Sequence, residues 1–202
     1  MKKAFYLLLC CLLTTCLFTA CSSEDDEQND FRIWDIYPIE FKIFITDSEG
    51  NDLLDSTYQY NIINEVSASY QGEVYPLKKY PDSYYRKATT RVYVPHFEGL
   101  LLKRYWNSMT YTYGNFEMVF GEFDGTENVD KRQIILHLPD SYQVRLSYKN
   151  SYKWISNDDG PQKNTQFFLD DQELKDNAGV RGTFHFRYSK DGGYEYIPSD
   201  IN

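Results

Sequence analysis

The sequence predicts an all-β protein: an antiparallel β-sandwich, immunoglobulin-like or related, with a few short helical turns. Three observations carry this expectation. Apolar residues recur with a period of two in many short stretches, the mark of strands with one buried face. Turn-forming residues separate these stretches at near-regular spacing, the rhythm of a sandwich. All four cysteines, Cys10, Cys11, Cys16 and Cys21, lie at the start of the 202-residue chain. The chain beyond Cys21 therefore has no disulfide, thiolate nucleophile or cysteine-ligated zinc, and must be held by a hydrophobic core. A chain of this length buries about 70% of its unfolded surface, which is enough.

At the N-terminus, Met1-Lys2-Lys3 is a short positive segment and Ala4 to Phe18 an apolar run, shorter than the roughly 20 residues that span a bilayer as a helix. Residues 1–20 are expected to be a cleaved export signal. Leu17-Phe18-Thr19-Ala20-Cys21 resembles the bacterial lipoprotein box, with Phe18 where an aliphatic residue is usual, and it implies lipidation of Cys21. The alternative is ordinary secretion with an incidental cysteine. Residues 22–30, Ser-Ser-Glu-Asp-Asp-Glu-Gln-Asn-Asp, contain nothing apolar. Residues 21–30 are expected to be a lipidated cysteine with an acidic, disordered tether. Thirty acids against 21 bases give a net charge of −9, and loss of Lys2 and Lys3 with the signal takes it to −11. No basic stripe remains for a nucleic acid.

The strands are expected from Phe31 onward. Ile39, Phe41, Ile43 and Ile45 alternate with Glu40, Lys42, Phe44 and Thr46, and Asp47 to Asp52 supplies a turn. Val66 to Tyr70 and Glu73 to Leu77 flank Gln71-Gly72, where glycine takes the positive φ of a tight hairpin. Further strands are expected at Thr90 to Val94, Thr110 to Tyr113, Phe116 to Phe123, Arg132 to Leu138, Tyr142 to Tyr148, Thr165 to Leu169 and Thr183 to Tyr188. Helical signals are few: Leu100 to Trp106 has the length of two turns, and Asp170-Asp171-Gln172-Glu173 resembles a capping box opening a short turn through Leu174. Asn157-Asp158-Asp159-Gly160-Pro161 reads as a long surface loop. With no repeat of fixed period and no linker after Asp30, residues 31–202 are expected to form one domain.

Ile45 to Leu54, Ser67 to Leu77 and Phe120 to Asn128 resemble segments of small surface lipoproteins of the Bacteroidota with a β-sandwich domain and no established function. Members carry a Trp-Gly-Asp-Gly turn where this chain has Leu138-Pro139-Asp140-Ser141. The resemblance implies a surface lipoprotein of sandwich type and no catalytic residues. The acidic tract after Cys21 likewise resembles the surface-export signal of such proteins, which implies the outer face of the outer membrane. A plain solvated spacer would leave the protein facing the periplasm.

Catalytic chemistry finds little support. His96, His137 and His185 share no metal-binding spacing, and the last two alternate opposite the more apolar face of their strands. No Gly-x-Ser-x-Gly elbow occurs, and His137 with Asp140 and Ser141 is more simply a strand end. The Asp47 to Asp52 loop and the set Glu122, Asp124, Glu127 and Asn128 are oxygen-rich but lack the EF-hand pattern. No enzyme activity, cofactor or metal is therefore expected. Tyrosine and tryptophan serve cores and binding faces alike. Two clusters lie beside loops: Tyr80, Tyr84 and Tyr85 near Pro81, and Tyr148, Tyr152 and Trp154 before Asn157. From these, Tyr84, Tyr85, Tyr152 and Trp154 are the candidate ligand-binding residues.

The expected partners are a lipid bilayer, through acylated Cys21, and a glycan or envelope protein. The expected role is a surface-anchored, non-catalytic binding module. The competing role is a structural subunit of an envelope assembly or fimbria-like structure, whose strand edges accept a partner strand.

Overall fold

The computed structural model describes residues 36–80, 95–107, 109–175 and 182–198. The expected signal, the tether with Cys21, the strand at 90–94, and Tyr84 and Tyr85 lie outside them.

Among the described residues there are strands and no helix. In chain order they are β1 (Ile39–Asp47), β2 (Ser67–Tyr70), β3 (Glu73–Pro76), β4 (Lys78–Lys79), β5 (Gly99–Asn107), β6 (Thr112–Phe123), β7 (Val129–His137), β8 (Gln143–Ser156), β9 (Gly160–Leu169), β10 (Gln172–Glu173), β11 (Thr183–Ser189) and β12 (Gly193–Tyr196). One sheet has the order β12-β11-β1-β6-β5-β4, the other β10-β9-β8-β7-β2-β3. Pairing is antiparallel except for β1 with β11 and β4 with β5. Two mostly antiparallel sheets give the all-β class that the sequence predicts, an arrangement consistent with a β-sandwich.

The period-two pattern of β1 becomes strict alternation of burial, with Ile39, Phe41, Ile43 and Ile45 inside. Phe41 joins the sheets: its ring lies 5.8 Å from that of Tyr148 on β8 and 5.9 Å from that of Phe167 on β9. Phe123 of β6 meets Tyr148 at 5.6 Å, and Tyr70 of β2 meets Phe120 of β6 at 5.9 Å. These rings belong to one hydrophobic core that also takes in Leu53, Leu54, Ile62 and Val66 from the segment between β1 and β2. Burying a ring of this size contributes roughly 2–3 kcal/mol.

Three sequence-based expectations are corrected. Leu100 to Trp106 is strand β5 and not helix: Leu100 and Leu102 point into the core while Leu101, between them, is buried on the other face. With both faces covered, the apolar run loses its period, and nothing local distinguishes strand from helix. Asp170 and Asp171 do not cap a helix. Both take positive φ, 46° and 71°, and turn β9 back into β10, a conformation that aspartate tolerates. Asn157 to Pro161 is the tight end of a long hairpin and not a loop, since β8 and β9 stay paired out to Ser156 with Gly160. Gln71 and Gly72, at φ 52° and 84°, make the hairpin turn foreseen between β2 and β3.

Candidate functional site

Tyr148, Tyr152 and Trp154 alternate along one face of β8, and the structure separates their roles. Tyr148 is fully buried, and its hydroxyl accepts a hydrogen bond from Arg132 Nη1 at 3.1 Å. Arg132 in turn holds Glu127 through both carboxylate oxygens, at 3.0 and 2.9 Å. Burial pushes the Tyr148 phenol up to about 12, against the nearby guanidinium. Tyr148 is therefore a core residue. Asn150, two positions on, is also buried: its amide donates to the carbonyls of Gly125 and Glu127 and accepts from the Thr165 hydroxyl. Tyr152 is half-buried, and its backbone N–H donates to Asn128 Oδ1 at 2.7 Å. Trp154 is 46% exposed and Ile155 beside it 44%. The face thus runs from core to solvent along one strand, and the candidate residues Tyr152 and Trp154 lie on paired strand opposite Lys163 and Pro161.

A second aromatic cluster, which sequence reasoning missed, occupies the β5–β6 hairpin. Trp106 pairs in register with Tyr113, with ring centroids 4.8 Å apart, and Tyr111 approaches Trp106 at 6.5 Å. Arg104 lies over the Tyr113 and Phe116 rings at 5.6 and 5.7 Å, and its Nε donates to the Gly114 carbonyl. Trp106, Tyr111 and Tyr113 are all exposed, and Met109 is 92% exposed. The tip is braced by its own polar groups: Asn107 Oδ1 accepts from the N–H groups of Met109 and Thr110, and the Thr110 and Thr112 hydroxyls share a bond of 2.7 Å. The signal in the sequence was the alternation of Tyr111 and Tyr113 across a turn from Trp106. Assigning Trp106 to a helix hid it.

The two hairpins project from opposite ends of their sheets. Residues 36–38 lead into β1, whose first residue Ile39 pairs with Phe123, the last residue of β6. Lys163 on β9 donates to the Tyr37 carbonyl at 2.9 Å, so the β8–β9 tip sits where the chain enters the fold. The β5–β6 tip lies at the other end of β6, and Phe116 there donates its N–H to Asp52, just past the far end of β1. The structure therefore does not bring Trp154 and Trp106 together.

The remaining chemistry-bearing side chains are dispersed. His137 Nε2 meets the Ser69 hydroxyl at 2.6 Å, while Asp140 receives the Tyr188 hydroxyl, so His137, Asp140 and Ser141 form no relay. His185 stacks flat on Phe44, centroids 4.7 Å apart and planes 9° from parallel, and with Arg187, Thr46 and Ile197 lines a shallow open pocket. His96 faces Glu98 at 3.2 Å. Among the described residues no three His, Cys, Asp or Glu side chains converge as a metal site would require. Asp47 spends its oxygens on its own turn, accepting from the Glu49 and Asn51 backbones, the Asn51 amide and the Tyr58 hydroxyl. Glu117 is buried on β6 with Oε1 3.6 Å from Lys103 Nζ and Oε2 without a hydrogen bond. Burial pushes its carboxyl up, against the pull of Lys103 and Lys42.

Comparison with known protein families, with curated proteins and with solved structures finds no match to this chain in any of the three.

Proposed function

We propose that the protein is an outer-membrane lipoprotein, anchored through Cys21 and facing the cell surface, whose β domain is a non-catalytic binding module for a glycan or a protein. The observation that carries the binding role is the braced aromatic tip of the β5–β6 hairpin. Exposed rings stand on a turn in which Asn107 Oδ1 already accepts from the Met109 and Thr110 N–H groups, and rigid rings lose little entropy when a ligand stacks on them. Arg104 adds a cation at the same place. The anchor is supported by Ala20-Cys21 after the apolar run, and surface exposure by the acidic residues behind it. Resemblance to Bacteroidota surface lipoproteins points the same way.

A glycan array and a pull-down from envelope extract test the module directly. Each stacked ring contributes on the order of 1 kcal/mol beyond its burial, so Trp106→Ala is expected to weaken capture about fivefold or more with an unchanged circular dichroism spectrum. Capture that is untouched by Trp106→Ala and Tyr113→Ala together removes the hairpin from the site, and empty arrays and pull-downs with folded protein remove the module. Cys21→Ala is expected to abolish partition into detergent.

A further inference from the structure

We infer that the β8–β9 hairpin is the membrane-facing surface of this protein, laying Trp154 and Ile155 against the lipid headgroups while the β5–β6 hairpin is held away from the bilayer. The inference rests on the proposed anchor at Cys21. Chain geometry supplies the first part of the case. From Cys21 to Ile36 a fully extended chain reaches no more than about 50 Å, and it meets the fold at Tyr37, whose carbonyl Lys163 holds. Lys163 pairs with Tyr152, and Trp154 lies two residues further along β8, a step of about 7 Å. The β5–β6 tip stands at the far end of β6, 12 residues away, which is roughly 40 Å of strand. A pull on the chain before Ile36 therefore brings Trp154 to the bilayer before Trp106.

Side-chain chemistry supplies the second part. Trp154 and Ile155 are neighbours at the irregularity that ends the β8–β9 ladder, and both are exposed beyond the end of the core. Neither side chain belongs to the hydrophobic core of the described residues. Tryptophan is the residue that prefers the headgroup level, with its ring among the acyl boundary and its N–H in the wet layer. Lys153, exposed on the same hairpin, offers an ammonium group to lipid phosphates. Asp158 and Asp159 occupy the turn itself, where Asp159 accepts from the Ser156 hydroxyl. They keep the turn in water, so the hairpin lies along the surface and does not penetrate it.

The test uses the full-length protein expressed in bacteria, extracted from membranes and returned to phosphatidylcholine vesicles with a quencher on a fraction of the headgroups. Two variants carry one tryptophan each: Trp34→Phe with Trp106→Phe leaves Trp154, and Trp34→Phe with Trp154→Phe leaves Trp106. Trp154 emission is expected to be quenched at least about twofold more strongly than Trp106 emission. Equal quenching, or stronger quenching of Trp106, overturns the orientation while leaving the anchor intact. Protein that fails to float with the vesicles at all overturns the anchor, and the orientation falls with it.

Discussion

At the scale of single residues, the firmest chemistry in the fold belongs to a turn. Asp47 ends β1, and its carboxylate organises the return of the chain toward Asp52 and Leu53. Burial pushes its pKa up, but bonds from the Tyr58 hydroxyl, the Asn51 amide and the Asn51 and Glu49 backbones outweigh burial and hold it at about 2, below the ordinary 3.8. A carboxylate depressed by folding adds stability that is complete above its unfolded pKa and is lost as pH falls through its folded one. Wild-type protein is therefore expected to lose this share of its stability between about pH 4 and 2. Asp47→Ala is expected to cost roughly 1–2 kcal/mol at neutral pH and to flatten that acid limb in urea titrations run at a series of pH values. Glu117 has the opposite sign. Its raised pKa makes charge on the folded protein costly as pH climbs above 4.5, so its contribution runs against that of Asp47.

At the scale of elements, the junction of β1 with β11 is the tightest. Gly182, just before β11, has φ +69°, its carbonyl accepts from the Lys42 N–H, and a side chain there would collide with the Glu40 carbonyl and the Phe167 ring. Gly50, at φ +88°, has open space around it. Gly182→Ala is thus expected to destabilise by at least about 2 kcal/mol and Gly50→Ala by only about 1, measured as chemical denaturation midpoints. Several elements were legible in the sequence because burial is one-sided: β1, β7 from Gln133 onward and β11 up to Arg187 alternate inside and outside. β5 was not legible, because Leu101 is covered on the face that should have been polar. The length of β8 and β9 was missed for a related reason. Beyond Asn150 the pair leaves the core, so the apolar period ends while the backbone ladder continues, and only Gly160, at φ 70°, marks the turn. The candidate Trp154 was legible as an exposed ring but not as one end of a polar molecule. That knowledge depends on Lys163 meeting Tyr37, 126 positions away.

At the scale of the whole molecule, the core joins both sheets through rings and no covalent tie, so stability rests on packing distributed over many strands. Phe41 and Phe123 of one sheet meet Tyr148 and Phe167 of the other. The position of β1 has a mechanical consequence. The first of the described strands is not at an edge but inside its sheet, hydrogen-bonded to β6 on one side and β11 on the other. A load applied between the chain before Ile39 and the β5–β6 tip runs along the β1–β6 ladder, whose bonds lie across the strands. They must therefore shear together, where a strand at an edge would peel one bond at a time. Single-molecule extension from those two points is expected to give one high-force rupture, and extension across β11 and β12, whose ladder is short and ends the sheet, a lower one. A protein held at one end and loaded at the other would resist flow with the part of its structure that is hardest to unzip.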